Sequence, residues 1–175
     1  MEFASPTLII GLVLWFVGYI FIINALSVMG KISPKEQGLW NFTISSFMFV
    51  CIILIMVFQL FGTDSWLWAG MVFLFAFTYF GIGLNNLGGT DSRGLGWYCL
   101  LVAIVVPAIA EMNFRAGDVR FGLIWLIWGA LWFTFWLIMG MGRTKLAGNM
   151  LGAIMLGVGV LTAWMPGYMM LRGWW

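Results

Sequence analysis

The chain has 175 residues, 63% of them hydrophobic and 8% charged, and a mean hydropathy of +1.05. No soluble domain hides that much apolar surface, so the sequence calls for an all-α membrane protein. A net charge of +2 gives no electrostatic footprint for nucleic acid, and histidine is absent.

In chain order, apolar segments fall at about 6–29, 39–62, 66–87, 94–112, 121–141 and 147–171. Each is ~18–25 residues, enough at ~1.5 Å per residue to cross a hydrocarbon core. The first is expected to be a retained membrane helix and not a signal peptide. The residues before it carry Glu2 and no lysine or arginine, and the run is too long for a signal core. The breaks "GKISPKEQG", "GTD", "GGTDSRG", "NFRAGDVR" and "GRTKLAG" are short and turn-like. The sequence thus predicts one six-helix transmembrane domain over residues 1–175, with consecutive helices antiparallel.

Loops one, three and five carry Lys31, Lys35, Arg93, Arg143 and Lys145, against Arg115, Arg120 and Arg172 on the other side. That bias places the first group in the cytoplasm and both termini outside it. A faint repeat relates "FVGYIFIIN" (16–24) to "FTYFGIGLN" (77–85), and "GLWNF" (38–42) to "GLGWY" (94–98), which suggests repeated hairpins.

The missing residues exclude several functions. The acids Glu2, Glu36, Asp64, Asp91, Glu111 and Asp118 all lie in or near loops, so no span has an ionisable group near its centre. Catalytic residues, a metal site and a cofactor are therefore not expected. Cys51 and Cys99 lie inside apolar runs and read as small hydrophobes. Glu111, bordering an apolar helix end, is the one candidate for a pH-sensitive group. What remains is neutral chemistry, suited to a neutral solute moving passively.

Helical spacing arranges that chemistry into faces. In "IWLIWGALWFTFW", Trp125, Trp128, Trp132 and Trp136 fall within ~80° of one another. Leu14, Val17, Phe21 and Asn24 share a face of helix one, and Phe77, Gly81 and Asn85 lie a turn apart in helix three, with Thr78 alongside. In helix six Val158 and Thr162 share a face, while Gly159, Ala163 and Gly167 form a small-residue ridge suited to tight helix contact. Taken alone, such stripes equally suit ordinary helix packing or lipid contact.

The segments "GLVLWFVGYIFIINALSVMGKIS", "FAFTYFGIGLNNLGG", "GLGWYCLLVAIVVPAIAE", "IWLIWGALWF" and "LTAWMPG" resemble, in order and over essentially the whole chain, the urea/amide channel family (AmiS/UreI). The resemblance implies six helices as three repeated hairpins, a pore within each protomer and a homo-hexamer around membrane lipid. It also implies a place in the bacterial cytoplasmic (inner) membrane, with a cytoplasmic urease or amidase as functional partner. Carried over by position, the pore-lining sites are Ile10, Leu14, Val17, Phe21, Phe77, Gly81, Trp125, Trp128, Leu131, Trp132 and Val158. Thr162, on the face of Val158, joins them. Acid-gated urea channels resembling this chain have a tyrosine in place of Gly81 and a glutamate in place of Val158, so narrow urea selectivity is not implied. The expected function is a passive channel for urea and other small planar neutral amides through an aromatic slot. A proton-coupled short-chain amide transporter is the alternative.

Overall fold

In a computed structural model, the protein is described over residues 6–175; Glu2 lies outside them. Among the described residues there are six helices long and apolar enough to cross a membrane, and no strand. Helix one is Pro6–Val28, helix two Pro34–Val57 and helix three Ser65–Gly88. Helix four is Arg93–Arg115, helix five Val119–Gly140 and helix six Asn149–Leu171. The last two each contain a wide π-helical turn, at Trp136–Gly140 and Gly159–Trp164.

Helix two starts five residues earlier than the expected residue 39, inside what composition marks as a loop. Ser33 caps it: its hydroxyl accepts from Glu36 N at 3.2 Å, and the Glu36 carboxylate accepts from Ser33 N at 2.9 Å. Pro34 follows at the first helical position, where no N–H is needed. The helix also stops early, at Val57 and not at residue 62. Gln59 takes a left-handed φ of 47°, and Leu60 N donates back to Ile55 O at 3.3 Å. Helix four runs three residues past its expected end, to Arg115, and closes the same way at Gly117, with φ 83° and Asp118 N donating to Asn113 O at 3.0 Å.

The chain forms two compact units. One comprises residues 6–89 with Asn149–Trp175, the other Thr90–Gly148. In the first, helices one and six run antiparallel with glycines from both sides at the seam. A methyl group on Gly18 would lie 2.5 Å from the backbone of Trp164, and one on Gly11 would lie 2.7 Å from Met170 Cβ. From helix six, Gly152 sits against Met29, Gly159 against Phe21 and Gly167 against the backbone of Trp15. Gly152 and Gly159 are seven residues apart, but Gly159 and Gly167 are eight. The π turn between the latter two takes up the extra residue. Pro166, just beyond it, cannot donate to the helix ladder, and the wider turn relieves its crowding.

Helices two and three pair likewise, with Gly83 on the Phe42 backbone and Gly38 on Asn86. In the second unit helices four and five meet at Gly96 on Gly140, Gly129 on Val106 and Gly122 on the Phe114 ring. Lipid tails are as apolar as leucine, so helices in a bilayer gain most from such close van der Waals approach.

These contacts predict that Gly18→Leu prevents assembly of folded protein in detergent, since its neighbour is backbone and cannot yield. Gly70→Ala, which opens onto empty space, should leave thermal stability unchanged or slightly raised. Size-exclusion profiles and melting curves of the two variants decide it; a well-folded Gly18→Leu protein would remove the seam from the account.

Candidate solute pore

Helix five carries the tryptophan stripe. Asp118 caps its start, accepting from Phe121 N at 2.9 Å. Trp125, Trp128, Leu131 and Trp132 are all buried. The Trp125 and Trp132 rings lie 6.4 Å apart and within 20° of parallel, and Trp128 stands edge-on to Trp125 at 5.3 Å and 77°. Phe121 extends the cluster, edge-on to both Trp125 and Trp128. Trp136 departs from the expected stripe. It opens the π turn and packs instead against Trp97 at 5.9 Å and Phe133 at 5.1 Å. The stripe is thus three indoles deep, with two of them presenting parallel faces.

On helix one, Ile10, Leu14, Val17 and Phe21 are buried, with Phe21 held against Gly159 of helix six. Next to that contact, Val158 is half-buried and Thr162 buried. The Thr162 hydroxyl donates to Val158 O at 2.6 Å, as Thr78 does to Leu74 O at 2.7 Å and Thr134 to Ala130 O at 2.8 Å. Their protons are committed to the helix.

On helix three, the expected positions Phe77 and Gly81 are less buried than their neighbours. Phe77 is 48% exposed and lies against Phe49 and Phe73, while Gly81 is half-buried. The buried aromatic pair is Phe75 and Tyr79, with ring centroids 6.2 Å apart. Tyr79 is 4% exposed, and its hydroxyl has no hydrogen-bond partner among the described residues. A buried hydroxyl left unpaired costs ~1–3 kcal/mol, which favours a small polar molecule beside it. Sequence reasoning missed this residue. Its signal was a hydroxyl-bearing aromatic at the middle of an apolar span.

Glu111 stands at the far end of helix four, exposed, and accepts from Arg115 Nη2 at 2.6 Å. Asn24 is buried in a carboxamide cluster with Asn41 and Gln37. No cluster of metal-binding side chains exists among the described residues. The surfaces on offer are aromatic faces, hydroxyl lone pairs and neutral donors.

The chain matches the family described as AmiS/UreI family transporter over residues 9–174. It is 35% identical to a protein of Mycolicibacterium smegmatis named for the transport of amidate substrates, over 94% of this chain and 78% of that one. It is 28% identical to an acid-activated urea channel of Helicobacter pylori, over 92% of this chain and 96% of that one. The crystal structure of the Helicobacter pylori urea channel superposes with a TM-score of 0.85, covering 95% of this chain and 99% of that chain at 28% identity. A cryo-EM structure of that channel in a closed state gives 0.79, covering 94% and 98% at 26% identity. The fold is therefore that of a urea channel, the protein is a multi-pass membrane protein, and the chain belongs to the AmiS/UreI family.

Proposed function

We propose that this protein is a passive channel for urea and other small planar neutral amides. The carrying observation is the buried stripe of Trp125, Trp128 and Trp132, whose parallel indole faces suit a flat solute. Following the family's pattern, we assign Trp125, Trp128, Leu131 and Trp132 to the path, with Ile10, Leu14, Val17 and Phe21 of helix one and Val158 and Thr162 of helix six. On helix three, Tyr79 takes the place first expected for Phe77, because its buried hydroxyl needs a partner. In this reading the protein sits in the bacterial inner membrane as a homo-hexamer, with both termini outside the cytoplasm.

Selection follows from two costs. An ion entering an indole slot sheds water and finds neither carboxylate nor carbonyl ring in exchange, a loss of many kcal/mol. Urea loses only some hydrogen bonds, each worth ~1–3 kcal/mol if left unmade, and the Tyr79 hydroxyl can replace one. Valine at 158 offers no charge, so planarity and size govern entry more than a specific amide contact does. Proton coupling would need a titrating group in the path. None of the six spans carries one near its centre, and Glu111 is an exposed, ion-paired group at a helix end.

Three outcomes test this. In proteoliposomes, Trp128→Ala and Trp132→Ala should shift the ratio of urea to bulkier amide flux several-fold at normal protein levels. Unchanged selectivity in both would return the stripe to packing. Tyr79→Phe should lower urea flux several-fold while raising the melting temperature, since an unpaired hydroxyl is removed. Unaltered flux with a higher melting temperature would take Tyr79 out of the path.

With no histidine to titrate between about pH 5 and 8, stopped-flow urea flux should vary less than about twofold from pH 6 to 8, without urea-dependent current in planar bilayers. A steeper pH dependence that disappears in Glu111→Gln would make Glu111 the switch. A urea-dependent proton current would favour the coupled transporter instead.

A further inference from the structure

Helices one, two and three share a cluster of carboxamides at the end of the first unit nearest loop one. Asn24 Oδ1 accepts from Asn41 Nδ2 at 2.6 Å and from Gln37 Nε2 at 3.0 Å. Gln37 Oε1 accepts from Ser27 Oγ at 2.9 Å and from Asn86 Nδ2 at 2.8 Å. Asn41 Nδ2 donates a second bond to Gln37 O at 2.8 Å. Asn24 is 5% exposed and Asn41 fully buried. No ionisable side chain belongs to the cluster. The nearest in sequence, Glu36, is exposed and engaged by Ser33.

A carboxamide oxygen has two lone pairs, so the oxygens of Asn24 and Gln37 are both full. The Asn24 nitrogen is in the opposite condition. It makes one long bond, 3.3 Å, to Asn41 Oδ1, and its second N–H has no partner among the described residues. The cluster thereby fixes the orientation of the Asn24 amide: its oxygen is clamped and it remains only a donor. Asn24 follows Phe21 by three residues on the face that carries Leu14 and Val17, so its N–H is the first polar group met beyond Phe21 on that stripe.

We propose that Asn24 donates a hydrogen bond to the carbonyl oxygen of the passing amide, held donor-only by Asn41 and Gln37. The inference rests on the channel reading above and adds a polarity to it. Tyr79 and Asn24 both serve the solute oxygen. The matched ligand class is a small neutral molecule with an exposed oxygen acceptor. Thiourea has nearly the same shape as urea, but its sulfur is a weak acceptor, so it isolates this contact.

Asn24→Ala and Asn41→Ala each delete three hydrogen bonds of the cluster, yet only the first deletes the spare donor. Asn24→Asp keeps both bonds that the oxygen accepts and stands in if the alanine variant does not assemble. Wild type and variants are measured in proteoliposomes for urea and thiourea flux, and in detergent for melting temperature. Both alanine variants should melt earlier by similar amounts. The urea-to-thiourea flux ratio should fall about fivefold in Asn24→Ala and Asn24→Asp, the weight of one ordinary hydrogen bond, and hold in Asn41→Ala. Equal ratios in all variants, or equal falls in Asn24→Ala and Asn41→Ala, would overturn the assignment and leave the cluster as a helix clamp. Absence of urea flux in the wild type would instead overturn the channel reading, and the Asn24 proposal with it.

Discussion

At Gly18 the backbone of helix one meets the backbone of Trp164 with no side chain between them, and Gly167 repeats the contact against Trp15. Water drives soluble helices together, but a bilayer gives no such push, so adhesion between these spans depends on how closely their surfaces approach. Glycine permits that approach at the helix one–six seam, at Gly83 between helices two and three, and at Gly96 between helices four and five. Because adhesion is placed in small residues, large ones are released for other work. The three buried indoles of helix five, and Ile10, Leu14 and Val17 of helix one, are not required to be the glue.

The same environment governs polar groups. Each buried hydroxyl or carboxamide must find a partner inside the protein, since lipid offers none. Most of this chain's polar side chains do so locally, as Thr78, Thr134 and Thr162 bond to carbonyls of their own helices, or in the cluster around Gln37. The exceptions are few and internal. In a soluble protein an orphan such as the Tyr79 hydroxyl would suggest a buried water; in a membrane channel it points equally to what passes through.

The six spans were legible because length and hydropathy alone demand them, and the small-residue ridge of helix six was legible from spacing. Helix ends were not. The start of helix two lies in a charged stretch that reads as loop until Ser33 and Glu36 are seen to cap each other. Its end depends on Gln59 adopting a left-handed conformation usually left to glycine. Helix three is ambiguous for a different reason. It carries aromatics at 73, 75, 77, 79 and 80, on nearly every side, and lipid is as apolar as the protein interior. Hydrophobic periodicity then cannot tell an inward face from an outward one, so nothing in the pattern separates exposed Phe77 from buried Tyr79. The π turns left no trace in composition either. Trp136 was aligned with its fellow tryptophans by a constant 100° step that the wider turn interrupts.

That wider turn also constrains how the chain length can change. Between Gly159 and Gly167 one residue more than a heptad is spent, and the π turn keeps both glycines facing helix one. Removing any single residue from 159–164 would let the segment wind back to a plain α-helix. Gly159 and Gly167 would then stand seven residues apart, two plain α turns that still face helix one. Insertions and deletions are ordinarily tolerated in loops and forbidden in spans. Here the stored residue gives the middle of helix six room for the loss of one residue, which an unbroken α-helical span lacks.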